Sequence, residues 1–303
     1  MEKKITLQDT LKSQDTEEWI DLVFYRPIGY RWALFFRKIN VRPNTVTIMS
    51  IILGMTAGVM FYFTDLRLNM IGMLLLVWAN SLDSADGQLA RMTGQYSRTG
   101  RILDGAAGDL WFFSIYAGIC LQLTPAWGLW IWILGAAAGY FHSKQAAMAD
   151  YLRNFHLLFV NGRNGSELDD SKDLKERAKA ISWKNDGVEK LFMLFYIPYT
   201  KGQEDWIPEV RKLKNAMKKD DGNMEIPVGF KDDFRRESRP MMKYTNILSF
   251  NTRVIVMFIT IFAHLPWIYF VFELTIMNIV LVYMLHNYGN ICKRFNLRLR
   301  GDN

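Results

Sequence analysis

The chain alternates between long apolar runs and blocks dense in charge. Six apolar runs stand out, roughly over residues 44–64, 69–90, 103–123, 126–150, 247–265 and 267–286. A helix rising about 1.5 Å per residue needs about 20 residues to cross a hydrocarbon core, and these runs are of that order. The first, TVTIMSIILGMTAGVMFYF, is a clean span, whereas the second gathers Asp83 and Asp86 before its end. Residues 253–285 are almost wholly apolar, but the His264-Leu-Pro266 step divides them into two short spans joined by a tight turn. Proline removes a backbone donor and disfavours helix in the residue before it. A single kinked helix is the alternative.

Two further stretches have patterns of their own. Residues 15–40 interleave Trp, Tyr, Phe and Leu with Arg and Lys, which predicts a helix lying in the membrane interface, interrupted near Pro27-Ile-Gly29. Residues 160–245 are rich in Lys, Asp and Glu but hold an apolar island, VEKLFMLFYIPY. Its aromatic content argues against a disordered linker and for a partly helical cytoplasmic insertion, resting on the membrane or covering a site. The predicted fold is an all-α integral membrane protein with about six transmembrane helices. Residues 1–43 form a cytoplasmic and interfacial segment, 44–159 the first four spans, 160–245 the insertion, and 246–303 the last two spans and a basic tail.

Charge fixes the orientation. The net charge of +7 is compatible with nucleic acid or with an anionic membrane surface, and its distribution decides. Of 37 Lys and Arg, eight precede residue 44, Arg91, Arg98 and Arg101 follow the second run, eighteen lie between 160 and 245, and four follow 290. With six spans, both termini and every basic connection fall on one face, which the positive-inside rule makes cytoplasmic. A soluble nucleic-acid binder does not sort its charge this way. The expected location is a multi-pass position in the cell inner membrane. Cys120 and Cys292, in or beside apolar runs, build no disulfide framework or thiolate metal site. The polar N-terminus lacks the apolar core of a cleavable signal.

Against this background four carboxylates are out of place. Asp83-Ser-Ala-Asp86-Gly87-Gln-Leu-Ala90-Arg91 is followed by Gly100-Arg-Ile-Leu-Asp104-Gly-Ala-Ala-Gly108-Asp109. Isolated charges near hydrocarbon are costly, so such residues face polar cavities or partners. Asp83 and Asp86 share a helical face, and Asp104 returns on the next, antiparallel helix at the same level. Hard oxygen ligands select Mg2+ or Mn2+, making Asp83, Asp86, Asp104 and Asp109 the expected metal ligands.

This segment resembles the signature of the CDP-alcohol phosphotransferase family, D-x2-D-G-x2-A-R-x8-G-x3-D-x3-D. Asp83, Asp86, Gly87, Ala90, Arg91, Gly100 and Asp104 match in register. Arg42-Pro-Asn44-Thr-Val-Thr47 is similar to the family's Pro-Asn-x-x-Thr approach to its first span. The resemblance implies two metal ions bridging the aspartates and a CDP-linked donor. It assigns the last aspartate as catalytic base, Asn44, Thr47, Gly87, Arg91, Ser97 and Gly100 to donor binding, and a homodimer as assembly. One departure stands: the last aspartate belongs at 108, where this chain has Gly, and the carboxylate is Asp109. A five-residue helical step turns about 140° where a four-residue step turns about 40°. A π-bulge or irregular start, eased by Gly105 and Gly108, is expected to bring Asp109 in. The alternative is a site of three carboxylates with its base elsewhere.

The acceptor is less sharply written. Lys144 and Arg253, at the cytoplasmic ends of separate helices, are candidates to hold a phosphorylated acceptor such as inositol phosphate, and equally to be snorkelling cations. His142 and His156 are expected as polar lining. Two versions of the chemistry are open. In one, CDP-diacylglycerol gives a phosphatidyl group to a polar alcohol and releases CMP. In the other, CDP-choline or CDP-ethanolamine gives its head group to a lipid alcohol. A cation transporter is a distant third, since its carboxylates would lie near the midplane on several helices.

Overall fold

A computed structural model describes residues 6–7, 13, 15–162, 166, 168–218, 226–227 and 229–301. Helices account for nearly all of it, and no strand occurs among the described residues. In chain order they are α1 (Arg26–Lys38), α2 (Pro43–Met60), α3 (Leu66–Thr93), α4 (Arg98–Trp127) and α5 (Trp130–Asn161). There follow α6 (Ser171–Ala180), α7 (Trp183–Trp206), α8 (Pro208–Ala216), α9 (Phe230–Ser238) and α10 (Met242–Ile247). The last three are α11 (Phe250–Phe262), α12 (Trp267–Leu274) and α13 (Ile276–Arg300).

Among the described residues, five helical stretches are long and apolar enough to cross a membrane: Pro43–Met60, Leu66–Thr93, Leu103–Trp127, Phe230–Phe262 and Trp267–Arg300. The fourth expected run, 126–150, falls mainly on α5, whose 32 residues reach about 48 Å but which is not one of these five. Its apolar half mixes Ile131, Ile133 and Leu134 with Trp, Gly and Ala, which are less hydropathic. The protein is an all-α, multi-pass membrane protein.

The chain forms two compact units, Met1–Ser143 with Asn251–Ile276, and Lys144–Phe250 with Met277–Asn303. In the first, α2 packs against both α3 and α4 and is held close by small residues, as is usual where lipid supplies no hydrophobic drive between helices. A β-carbon on Gly54 would lie 2.1 Å from Trp111, and one on Gly118 would lie 2.3 Å from the Gly58 carbonyl. Ile52, Val59, Leu74 and Phe113 are exposed, as lipid-facing side chains are. The amphipathic α1 crosses α3 at Gly29, where a β-carbon would meet Ser84 Oγ at 2.9 Å. Ala33 and Phe36 of α1 join Val46, Leu82, Ala85, Leu89 and Met92 in one buried cluster.

Two local expectations are settled here. Pro27 and Gly29 do not break the helix, which runs unbroken from residue 19 to 38, with Pro27 lacking the N–H that would continue the ladder at the joint. The irregularity is instead a π turn just before it, Asp21–Tyr25. The His264-Leu-Pro266 step does form a tight turn, with His264 at φ 58° and Pro266 capping α12.

The second unit has an aromatic core of Phe155, Phe159, Phe234, Tyr288 and Phe295, with Phe159 and Phe234 stacked at 3.9 Å. His156 Nδ1 meets Ser238 Oγ at 2.8 Å, so the polar-lining expectation gives way to a specific partner. Ser171 donates through its N–H and hydroxyl to buried Glu204, tying the start of α6 to α7. At the same corner burial pushes the Asp170 carboxyl up, but Lys218 and Lys214 outweigh it and hold it below the usual range.

Candidate active site

The site is built where α3 ends and α4 begins. Asp65 starts α3 by accepting the Arg67 N–H at 2.8 Å, and Gly94, at φ 68°, stops it. Twenty-odd residues separate those two signals, so the carboxylates fall in the last turns of a helix that has already crossed most of the apolar layer. Ser97 then caps α4, its oxygen accepting the Gly100 N–H at 2.9 Å.

These two helix ends bring Asp83, Asp86 and Asp104 together, with one carboxylate oxygen from each lying within 4.8 Å of the others. Their surroundings differ. Asp86 is 3% exposed, Asp83 half-buried and Asp104 exposed. The Thr47 hydroxyl of α2 donates to Asp86, and the same oxygen lies 3.2 Å from the Pro43 carbonyl, which competes for its one proton. Gly87 adds a backbone hydrogen bond to Asp86. Burying one carboxylate among two others is unfavourable without a positive counter-charge. Three hard oxygens at this spacing fit a divalent cation.

The other expected residues divide between ligand-facing and structural positions. Arg91 folds back along α3, its guanidinium nitrogens 3.4 Å from where a Gly87 β-carbon would stand. Its Nε is buried with no protein partner, and Arg26, Tyr96, Glu17 and Asp104 form its charged surroundings. Asn44 and Ser97 bond each other at 3.1 Å, joining the starts of α2 and α4. Ser97 thus gives its proton to Asn44 and its lone pair to the helix cap. Gly100 is needed for that junction, since a β-carbon would lie 2.5 Å from Asn44 Oδ1 and 2.9 Å from Ser97 Oγ. Helix packing by itself accounts for a glycine at this position. Gly100→Ala is therefore expected to lower thermal stability by about 1–3 kcal/mol through overpacking, seen as a fall in Tm before any ligand is added. An unchanged Tm with weakened donor binding would restore the nucleotide reading.

Asp109 stands outside the group of three. α4 runs as regular α-helix from Arg98 to Trp127, with no π turn, so the one-residue offset is not absorbed. The carboxylates that come together in the structure are Asp83, Asp86 and Asp104. Arg253 also departs from expectation. It is 1% exposed and gives its guanidinium to the equally buried Glu273, which takes a further hydrogen bond from Tyr269 at 2.8 Å. His142 lies 3.7 Å from Glu273 and 3.2 Å from the Tyr116 hydroxyl, a partner set that composition did not suggest. Lys144 belongs to the other unit, its Nζ 3.8 Å from a Gly202 β-carbon position.

Sequence reading missed Arg26 and Glu17. Their bidentate pair, at 3.0 Å on both arms, sits against the α3 face, with Ser84 3.5 Å from Arg26 and Gln88 donating to its carbonyl at 3.2 Å. The available signal was an acid and a base nine apart in the interfacial segment, too generic to single out.

This combination of fold and site defines an integral membrane protein with three carboxylates gathered at the mouth of one helix pair, a group that could hold a metal ion. Residues 40–149 match the family model for CDP-alcohol phosphatidyltransferase. Over 97 residues, 32% of this chain and 22% of the relative, it is 28% identical to the bifunctional IPC transferase and DIPP synthase of Aquifex aeolicus. Over 90 residues, 30% of this chain and 46% of the relative, it is 36% identical to the archaetidylinositol phosphate synthase of Pyrococcus horikoshii. The matches thus span less than half the length of either relative.

Proposed function

We propose that the protein transfers a phosphatidyl-type group from a CDP-linked lipid to a polar alcohol, at the cytoplasmic face of the membrane. The observation that carries this reading is the meeting of Asp83, Asp86 and Asp104, with Asp86 buried and steadied by Thr47. Mg2+ or Mn2+ held there, as one ion or two, would neutralise a diphosphate and stabilise charge developing on its leaving oxygen. The chain's own residues do the rest. Arg91, with a buried nitrogen still open for a bond, holds phosphate oxygens as a planar cation can. Gly87, whose nearest neighbour is that same guanidinium, leaves the nucleotide room beside α3. The acceptor oxygen attacks the β-phosphorus, its new P–O bond replacing the bond to CMP, which leaves as a phosphate anion. The acceptor proton passes to a carboxylate. With α4 regular, exposed Asp104 is the member of the group best placed to take it.

The name of the second relative, an archaetidylinositol phosphate synthase, favours an inositol phosphate as acceptor. The test is CMP release by purified protein with CDP-diacylglycerol, with Mg2+ or Mn2+ against chelator, over inositol phosphate, inositol, serine and glycerol phosphate. Metal-dependent release with inositol phosphate alone is the expected result. Release only when CDP-choline or CDP-ethanolamine is supplied with a lipid alcohol would replace the donor. No release with any pair would overturn the reading.

A further inference from the structure

Helix α7 is built inside out. Its buried positions in the C-terminal half include Thr200, Gln203 and Glu204, at 3%, 7% and 4% exposure. Its exposed stripe is Leu191, Leu194, Phe195, Pro198 and Tyr199, which follow the three- and four-residue spacing of one helix face. Phe195 is 71% exposed and Leu194 56%. A helix facing water shows the reverse pattern, and a polar inner face with an apolar outer one marks a surface whose outer solvent is not water.

Two anchors say what that solvent is. Gln203 Nε2 donates to the Ala147 carbonyl of α5 at 2.8 Å, within the last turn of the 126–150 apolar run. At the other end Ile207, the residue after α7, comes to 4.0 Å from a β-carbon position on Gly289 of α13. Gly289 stands one turn beyond the apolar part of that membrane-length helix. Both contacts pin α7 at the level where helices leave the hydrocarbon. Trp183, Tyr199 and Trp206 are all exposed, and such residues are enriched at that boundary. Lys201, exposed beside the stripe, suits the anionic head groups found there.

We infer that α7 lies in the bilayer interface, with Leu191, Leu194, Phe195 and Tyr199 buried among lipid at the head-group boundary. The insertion is thereby a second interfacial anchor, besides the N-terminal one. The inference stands independently of the chemistry proposed above.

The test uses the full chain in vesicles containing phosphatidylglycerol, with one nitroxide label at Phe195→Cys or, as control, at Asp205→Cys. The native Cys120 and Cys292 are buried. Collision rates are measured with oxygen, which partitions into lipid, and with a water-soluble nickel chelate. The expected oxygen-to-nickel ratio is several-fold higher at 195 than at 205. Equal ratios would place the stripe in water and overturn the inference. A label at 195 shielded from both probes would mean that protein covers the stripe, and would overturn it equally.

Discussion

Asp86→Asn is expected to abolish metal-dependent CMP release, by on the order of 10³-fold or more, while raising the Tm of the metal-free protein. The two effects have one cause. Without a cation the three carboxylates oppose one another across at most 4.8 Å, and Asp86 suffers most because it alone is buried. Replacing it by an amide of the same shape removes that repulsion and keeps an oxygen for Thr47. In the wild type a bound cation reverses the balance and stabilises the fold, by about 2.7 kcal/mol at a hundred times its Kd. That gain corresponds to a rise in Tm of several degrees, and the variant is expected to lose it. Tm is therefore read with Mg2+ and with chelator for both proteins, beside turnover. A variant that still gains stability from the metal would remove Asp86 from the metal site. A lower metal-free Tm would make its hydrogen bond to Thr47 worth more than the relieved repulsion.

The large features of this chain were open to sequence reasoning because each rests on a strong local signal. Apolar runs of about 20 residues have few other structural uses, and the proline at 266 sits where a turn must form. Asp83, Asp86 and Asp104 were legible because a carboxylate in an apolar helix is costly enough to need a reason. The same argument, pressed further, would have found Glu273. It is the only acid in residues 247–286, and Arg253 the only Lys or Arg, so each is the obvious counter-charge of the other. Taking Arg253 as a snorkelling or substrate-binding cation overlooked that pairing. Gly100 is a different case. A glycine in a nucleotide-family motif invites a ligand explanation, and only coordinates reveal that Asn44 stands close against it. The insertion shows the limit of pattern reading. Its apolar island was visible, but which face of α7 turns outward depends on Gln203 finding Ala147, a contact 56 residues away in sequence.

Asp109 is the position where pattern and geometry pull apart, and it carries the second large prediction. On the regular helix α4 the five-residue step from Asp104 turns about 140°, so Asp109 projects from a different face, whereas position 108 turns only about 40° from Asp104. A side chain at 108 meets no obstacle, since a β-carbon there has nothing within 4 Å. Asp109→Asn is therefore expected to keep turnover within about tenfold of wild type. The exchange Gly108→Asp with Asp109→Gly is expected to raise it by about 10²-fold, the lower end of what a well-placed general base contributes. Metal-induced stabilisation should grow with it if the new carboxylate also reaches the cation. The converse pattern is equally informative. A loss near 10³-fold in Asp109→Asn, with no gain from the exchange, would mean that α4 does not stay regular during turnover. Gly105 and Gly108 would then let a π-bulge form when substrate binds, turning Asp109 into the site, and the base would be Asp109 rather than Asp104.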